Sequence, residues 1–393
     1  MAMHKTLGKD NKKITIALLC SALNGRGGTS QFMADIYIHL DRNRYRTLIA
    51  YSSVKKNLLH DFFIAQGVKN EDLFWLPQFK KMFFIPLAVK LRKLFVSQRV
   101  DIAHTFFLHS DIVGYFAALL AGKKCLISSV VGKFFWDEIN GVGKLKQVCY
   151  KLFNSFIRHN FYRTITVSQQ LSDELVKSKA APARKVVAIN LGIVIPPDES
   201  IDISRDNRKN VIIASLSRLT KDKGLEYLLQ AAPYVLAEVP QARFIIASIG
   251  KEEENLKQLA RDLRIQSAVE FPGWVSNAAD FIKDIDIFAI PSLREGCPLS
   301  LLEALSFAKP AVAFRVPGIQ EIMQNGENGI VVEPFDVQQF ARGLITLCED
   351  ENYARKLGLS GRKLVQEKFS ISSGIAKIER IYTEALNKNH IFS

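Results

Sequence analysis

The sequence holds few cysteines and no pattern among them. Cys20, Cys125, Cys149, Cys297 and Cys348 are scattered along 393 residues and odd in number. They form no disulfide framework and no Cys-x-x-Cys pair, and no His-rich tract accompanies them, which argues against a zinc module or a disulfide-stapled secreted domain. A reducing cytosol is the compartment this usage predicts. Long apolar runs are missing too. None reaches the roughly 20 residues that a membrane-spanning helix requires. Lys12 and Lys13 precede the apolar stretch Ile14 to Cys20, but that stretch is short for a signal peptide and no small-x-small cleavage site follows it. It is read as a first buried strand. A dinucleotide fingerprint is also absent. The loop Ser21 to Ser30 is Gly-rich, and a strand, a Gly-rich loop and a helix in succession form phosphate-binding architecture. Its Gly25-x-Gly27-Gly28 spacing is not G-x-G-x-x-G, however. The next strand, about Thr47 to Tyr51, runs into Ser52-Ser53-Val54 with no acid for a ribose hydroxyl. NAD is thereby rejected, and a plain tight turn remains the other reading of the loop.

At 393 residues, 48% of them hydrophobic, the chain is long enough for two globular cores. Its net charge of +14 is unevenly held. Residues 1–195 carry 29 Lys and Arg against 12 Asp and Glu, a net +17, whereas residues 196–393 carry 24 against 27, a net −3. Charge confined to one half belongs to a function of that half. It implies an anionic partner: a membrane surface, a phosphorylated acceptor or nucleic acid. Residues 78–99 contain no acid at all, but hold Lys80, Lys81, Lys90, Arg92, Lys93 and Arg99. Phe83, Phe84, Leu87, Leu91, Leu94 and Phe95 give the same stretch apolar faces. A basic amphipathic helix of this kind can lie in an anionic interface, with roughly 1 kcal/mol from each Lys or Arg near the surface. A helix packed on a sheet with a solvated basic face fits the same residues. Basic and aromatic residues also interleave in Lys133 to Trp136 and in Lys144 to Arg163. With no nucleic-acid motif beside them, nucleic acid is not taken as a partner.

The chemistry concentrates in the second half. Ile285 to Ile290 is an apolar run short enough for a buried strand, and Leu299, Leu302 and Leu305 recur at helical spacing. Glu295 lies in the loop between them, Pro298 at the expected first helical position, and Glu303 just over a turn into the helix. Two carboxylates thus flank a helix N-terminus, the place where an α/β protein holds a phosphate. Further back, Val211 to Leu216 reads as a strand, and Leu225, Leu228, Leu229, Ala232 and Val235 mark a helix face. Arg218 at the strand end and Lys223 just before the helix place two cations on one pocket rim.

Glu295 and Glu303, with seven residues between them, together with Ser217 to Gly224 and Val316-Pro317-Gly318, resemble the retaining GT-B glycosyltransferases of glycosyltransferase family 4 (glycosyl transferases group 1). That family includes sucrose synthases, phosphatidylinositol mannosyltransferases and many capsule and lipopolysaccharide enzymes. The resemblance covers nearly the whole chain and is densest from Ser215 to Val332. It implies an α/β fold of the GT-B type, two doubly wound Rossmann-like domains facing a central cleft. An N-terminal acceptor-binding domain would span residues 1–195 and a C-terminal nucleotide-sugar-binding domain 196–375, with a helix at about 376–393 crossing back. Pro196 to Asn210 serves as the linker. The resemblance carries Glu295, with the backbone of Gly296, Cys297, Pro298 and Leu299, to the donor sugar, and Glu303 to the ribose. Arg218 and Lys223 go to the donor diphosphate, where fixed cations stabilise the charge building on the leaving group. Trp274, in the segment Val269 to Val275, falls beside the nucleotide base. Gly27 and Gly28 match a Gly-Gly pair that approaches the donor phosphates or the acceptor from across the cleft.

Val100 to Asp111 is similar to the family segment in which a strand ends on a histidine and opens toward the acceptor. His104 and His109 are its catalytic candidates, each able as a neutral imidazole to accept a hydrogen bond from the acceptor or the donor sugar. Phe106 occupies the place of a second family histidine. A satisfied core histidine stays open as the reading of His104, and a polar residue at a helix N-terminus as that of His109. Asp284-Ile285-Asp286 spells a D-x-D, which holds a metal in other glycosyltransferases. Here it precedes a buried strand and is read as structural.

The implied function is retaining transfer of a hexose or N-acetylhexosamine from a nucleotide-diphosphate-sugar, a UDP-sugar first. The acceptor would be a saccharide or lipid-linked saccharide in surface-polysaccharide or glycolipid synthesis. No cofactor and no metal is expected, the nucleotide-sugar being a substrate. The basic first half adds peripheral contact with the anionic inner face of the cytoplasmic membrane to an otherwise cytoplasmic protein. Two other classes stay open: a GT-B sugar-nucleotide epimerase or phosphorylase, and a non-catalytic nucleotide-sugar-binding protein.

Overall fold

Short apolar strands alternate with amphipathic helices along the chain, a pattern that builds parallel sheets covered by helices. The computed structural model describes residues 13–20, 27–53, 56–76, 84–122, 125–131, 144–190, 192–201 and 210–391. The chain divides into two units: Met1–Thr166, Ser172–Val187 and Ile375–Ser393 form the first, Val167–Leu171 and Ala188–Gly374 the second.

In the first unit the elements run β1 (Ile14–Cys20), α1 (Gly28–His39), β2 (Tyr45–Ser52), α2 (Lys56–Ala65), β3 (Leu73–Leu76), α3 (Phe84–Ser97), β4 (Ile102–Phe106), α4 (Leu108–Leu120), β5 (Leu126–Val130), α5 (Lys144–His159), β6 (Arg163–Thr166), α6 (Gln169–Lys177) and β7 (Val186–Ala188). The sheet order is β3-β2-β1-β4-β5-β6-β7. Neighbours from β3 to β6 pair in parallel, with Leu18 opposite both Ile49 and His104. The middle strands are buried on both faces, which is why β1 reads as an unbroken apolar run rather than an alternating one. Leu19, Leu48, Leu91, Phe95, Val113 and Ile157 knit strands and helices into one core. Two boundaries differ from the sequence expectation. β2 extends at both ends beyond Thr47 to Tyr51. α1 opens at Gly28 rather than Ser30, because the Ser30 hydroxyl accepts from the Gly27 amide at 2.9 Å and donates to the Gly27 carbonyl at 2.8 Å, fastening the first turn from within.

The second unit contains β8 (Val211–Leu216), α7 (Leu225–Glu238), β9 (Ala242–Ala247), α8 (Glu253–Asp262), β10 (Val269–Glu270), α9 (Ala278–Lys283), β11 (Ile287–Ile290), α10 (Leu299–Ser306), β12 (Ala311–Phe314), α11 (Pro317–Gln320), β13 (Ile330–Val332), α12 (Val337–Glu349) and α13 (Glu351–Lys368). Its parallel sheet has the order β10-β9-β8-β11-β12-β13. A last helix, α14 (Ile371–Ile391), belongs to the first unit from Ile375 onward. There Glu379 accepts from the Asp41 amide at 3.0 Å, and the buried Tyr382 reaches His104.

Both sheets use the same device to align their central strands. Asp101, just before β4, accepts the Thr15 amide at 2.8 Å and donates its own amide to the Thr15 carbonyl. Asp286, just before β11, does the same to Ile212, its carboxylate accepting at 2.8 Å. The D-x-D of residues 284–286 is thus a strand clamp in its second Asp, and Asp284 caps the C-terminus of α9.

Candidate functional site

In the second sheet the chain winds from β8 outward to β10, then returns to the other side of β8 with β11. Strand order reverses between β8 and β11, and loops leaving their C-terminal ends splay apart, which makes this the place where a doubly wound sheet receives a ligand. The loop after β8 carries Arg218 and Lys223; the loop after β11 carries Glu295, Gly296, Cys297 and Pro298.

Backbone contacts lock these two loops together. Gly224 takes the left-handed conformation, φ 58 and ψ 25, to end the turn Lys221–Lys223 and open α7. A Cβ there would stand 2.2 Å from the Pro291 carbonyl oxygen, so only glycine lets the loops close. The Leu293 amide donates to the Asp222 carbonyl at 3.0 Å. From the other side, a Cβ on Gly318 of α11 would stand 2.4 Å from the Glu295 carbonyl oxygen. Held between glycines, Glu295 meets Lys223, with Nζ 2.7 Å from Oε1 and the side chains only 14% (Lys223) and 8% (Glu295) exposed. Arg218 is exposed at the end of β8, and Glu303 is half-buried on α10.

Pro298 is the N-cap of α10 rather than its first helical residue. Its φ of −72 and ψ of 102 are extended, and its carbonyl accepts the amides of Leu301 and Leu302. The first turn of α10 carries no acid and no side-chain cap, so its positive end faces the Glu295 loop uncompensated from within the helix. Three buried hydroxyls at the same strand ends, those of Ser217, Thr220 and Ser292, have no hydrogen-bond partner among the described residues. Each such group costs about 1–3 kcal/mol, and evolution tolerates that cost most readily where geometry serves a ligand. Sequence reasoning passed over all three. Small polar residues in a switch-point loop, with no cap or turn to serve locally, are the signal that marks them. Ser248 at the end of β9 has φ 119, a strained backbone for a residue with a Cβ, and its amide donates to the Gly273 carbonyl at 2.7 Å. That bond fixes the turn from which Trp274 projects, exposed.

The first unit distributes its candidates differently. Gly27 is extended at φ 174, and a Cβ on it would meet nothing within 4 Å among the described residues; Gly28 opens α1. Packing against the described residues therefore does not demand glycine at position 27. His104, for which both a catalytic role and a core position were open, lies in the core. It is fully buried, with Nδ1 2.6 Å from Tyr382 Oη and Nε2 2.7 Å from Ser129 Oγ. Burial pushes its pKa down to about 3, so the ring is neutral and both nitrogens are occupied. Phe106 stacks on that ring at 4.7 Å and packs edge-on to Phe32, which makes the position of a second family histidine part of the core. Phe107 then turns the chain with φ 68 and ψ 160, a conformation that costs a non-glycine residue of order 1–3 kcal/mol. This turn sets His109, half-buried, in the first turn of α4 at the end of the central strand β4. Beneath it, Asp111 is buried against Arg158 at 3.2 Å and accepts the hydroxyls of Thr105 and Ser128. Among the described residues no group of three His, Cys, Asp or Glu is placed to hold a metal ion.

Comparison with known proteins finds likeness in sequence and in fold. Residues 26–195 match the model of Glycosyltransferase Family 4, and residues 197–364 that of Glycosyl transferases group 1. The UDP-Gal:alpha-D-GlcNAc-diphosphoundecaprenol alpha-1,3-galactosyltransferase of Escherichia coli is 25% identical over 307 residues, covering 75% of this chain and 78% of that protein. The N-acetyl-alpha-D-glucosaminyl L-malate synthase of Bacillus anthracis is 26% identical over 319 residues, covering 77% and 79%. HepE of Anabaena, solved with UDP-glucose, superposes with a TM-score of 0.79 at 17% identity, over 94% of this chain and 100% of that one. The likeness establishes the GT-B fold of two Rossmann-like domains. The chain belongs to the glycosyltransferases, joining a Glycosyltransferase Family 4 domain to a Glycosyl transferases group 1 domain.

Proposed function

We propose that the protein transfers a hexose or N-acetylhexosamine from a UDP-sugar to a saccharide or lipid-linked saccharide, with retention of configuration, in the synthesis of a surface polysaccharide or glycolipid. One observation carries the reading: Lys223 and Glu295 stand paired at 2.7 Å at the switch point of the second sheet, with Arg218 at the end of the adjoining strand. A cation pair facing a ligand at this place suits a diphosphate, and a carboxylate beside it suits a sugar ring that becomes positive. The names of the relatives point the same way. The E. coli enzyme uses UDP-Gal and a diphosphoundecaprenol-linked acceptor, and the Anabaena protein binds UDP-glucose.

In this reading Arg218 and Lys223 neutralise the diphosphate as the anomeric carbon–oxygen bond breaks and its electron pair moves to the phosphate oxygen. Glu295 and the backbone of Gly296, Cys297 and Leu299 hold the ring as oxocarbenium character develops. Glu303 takes the ribose, and Trp274 stands on the base side. The acceptor hydroxyl attacks from the face the diphosphate leaves, and its proton passes to the leaving phosphate oxygen. His109 orients the acceptor, and the amides of Gly27 and Gly28 offer donors at the end of β1. No divalent metal takes part. The basic first half, net +17, brings the enzyme to an anionic membrane surface, where a lipid-linked acceptor resides. Among the described residues no helix is long and apolar enough to cross that membrane.

The test is turnover with UDP-sugars in EDTA, with the anomer of the product read by NMR. Arg218→Ala is expected to reduce turnover by about 10²-fold or more. Near-normal turnover in the variant, an inverted product or a rate abolished by EDTA would each contradict part of the mechanism.

A further inference from the structure

β3 is the edge strand of the first sheet and pairs with β2, Trp75 lying opposite Tyr51. α3, which follows it, is drawn toward α4: Leu87, Leu91 and Phe95 share a core with Val113 and Ala117. A groove of about 540 Å³ is left between β3 and α3. Lys90, Lys93 and Ser97 stand at i, i+3 and i+7, on the face of α3 that lines it. Trp75 lines it from β3, exposed to 37%, and His60 and Asn70 from the segments that precede the strand. The volume is that of a small-molecule site rather than of a crease between side chains.

The lining groups have a readable chemistry. Lys90 and Lys93, one helical turn apart, place two cations with their Cβ atoms about 6 Å from each other. No lining residue is Asp or Glu. The acids that follow Asn70 are engaged elsewhere, Glu71 with Lys69 at 3.8 Å and Asp72 with Tyr37 at 2.7 Å. The Ser97 hydroxyl donates to the Leu94 carbonyl at 3.2 Å, which leaves its oxygen able to accept. The Tyr51 hydroxyl, 3.2 Å from His60 Nδ1, fixes that ring. Lysines that guard an edge strand would account for the charge. They do not account for an indole, an imidazole, an amide and a hydroxyl gathered round one cavity. An aromatic face beside cations and neutral hydrogen-bonding groups suits a ligand with flat C–H faces, a rim of hydroxyls and a negative charge. A hexuronate within a saccharide is such a ligand. A neutral sugar would leave the lysines idle, and a simple anion would leave the indole idle.

We propose that the groove between β3 and α3 binds an acidic saccharide, a hexuronate ring lying on Trp75 with its carboxylate taken by Lys90 and Lys93. The groove belongs to the first unit, whereas the donor loops belong to the second. The inference rests on the transferase reading for its purpose, the uronate being part of the saccharide that the enzyme extends, but its test is independent of that reading.

The full-length protein is titrated by calorimetry and tryptophan fluorescence with tetragalacturonate, with a glucuronate-containing tetrasaccharide and with neutral maltotetraose. At least one acidic tetrasaccharide is expected to bind and to alter the fluorescence, and maltotetraose to do neither. Lys90→Gln with Lys93→Gln is expected to weaken binding about tenfold. Trp75→Ala is expected to weaken it by about the same factor and to abolish the fluorescence change, while Trp75→Phe keeps most of the affinity. The lysine variant should keep the parent's unfolding temperature and its stabilisation by UDP. Failure of both acidic saccharides to bind, variants that bind like the parent, or maltotetraose bound as tightly would overturn the proposal. So would inorganic phosphate or UDP displacing the saccharide from this groove at equal concentration, which would make it a simple anion or nucleotide site. UDP stabilisation without acidic-saccharide binding would sink the groove and leave the transferase reading intact; saccharide binding without UDP stabilisation would do the reverse.

Discussion

At the scale of single residues, burial decides which titratable groups are available for chemistry. His104 is kept neutral by desolvation, its pKa pushed from the ordinary 6.5 down to about 3. Between those values the unfolded chain binds a proton that the folded one refuses, so this residue makes stability rise with pH there and fall as pH drops. Asp35 of α1 acts oppositely. Burial raises its carboxyl from 3.8 to about 6, with a hydrogen bond from Gln31 working against the shift. The folded form therefore keeps a proton that the unfolded form releases, and stability falls as pH rises through that window. The two slopes oppose each other between about pH 4 and 6. Asp35→Asn is expected to unfold at a temperature that climbs more steeply over this range than the parent's, and His104→Asn less steeply; parallel curves would contradict the assignment. Residue identity was partly legible in the sequence. Arg218 and Lys223 could be placed on one rim from their positions in the sequence, but the 2.7 Å pairing of Lys223 with Glu295 could not. His104 shows the limit, since Tyr382, which closes one of its nitrogens, lies 278 positions away.

The loops of the site depend on close backbone approach more than on side chains. Gly224 has a left-handed backbone and faces the Pro291 carbonyl, whereas Gly27 is extended and a Cβ on it would meet none of the described residues within 4 Å. Gly224→Ala is expected to lower stability by about 2 kcal/mol or more, combining backbone strain with a displaced loop, and to weaken UDP binding in step. Gly27→Ala should change stability by less than about 0.5 kcal/mol. If the two variants unfold alike, the interlocked loops are not what holds the site. Asp286→Ala leaves the Ile212 amide unpaired, which should cost about 1–3 kcal/mol while preserving UDP-dependent stabilisation in EDTA. Loss of nucleotide binding without loss of stability would return the D-x-D to a binding role. The order of strand, loop and helix was legible because apolar runs separated by Gly and Pro repeat along the chain. Boundaries were less so. Pro298 is suited to a first helical position, yet it caps α10 from outside, because its carbonyl already accepts two amides of the first turn.

At the scale of the molecule, two parallel sheets repeat one plan, down to the aspartate that clamps the strand beside the switch point. One carries the charge and the other the cation–carboxylate pair. The division of charge was plain in the sequence, since counting needs no structure. The groove between β3 and α3 was not, because Trp75 and Lys93 come to line one cavity only through the packing of α3. In the proposed function the second unit holds a uridine diphosphate between Arg218, Lys223 and Glu303. Thermal unfolding of the full-length protein with UDP, GDP, ADP and CMP, in EDTA, tests it most directly, because a ligand that binds only the folded state raises its stability. UDP is predicted to raise the unfolding temperature by several degrees in the parent and not in Lys223→Ala, with the other nucleotides having little effect. No shift with UDP, or an equal shift with all four, would contradict the account.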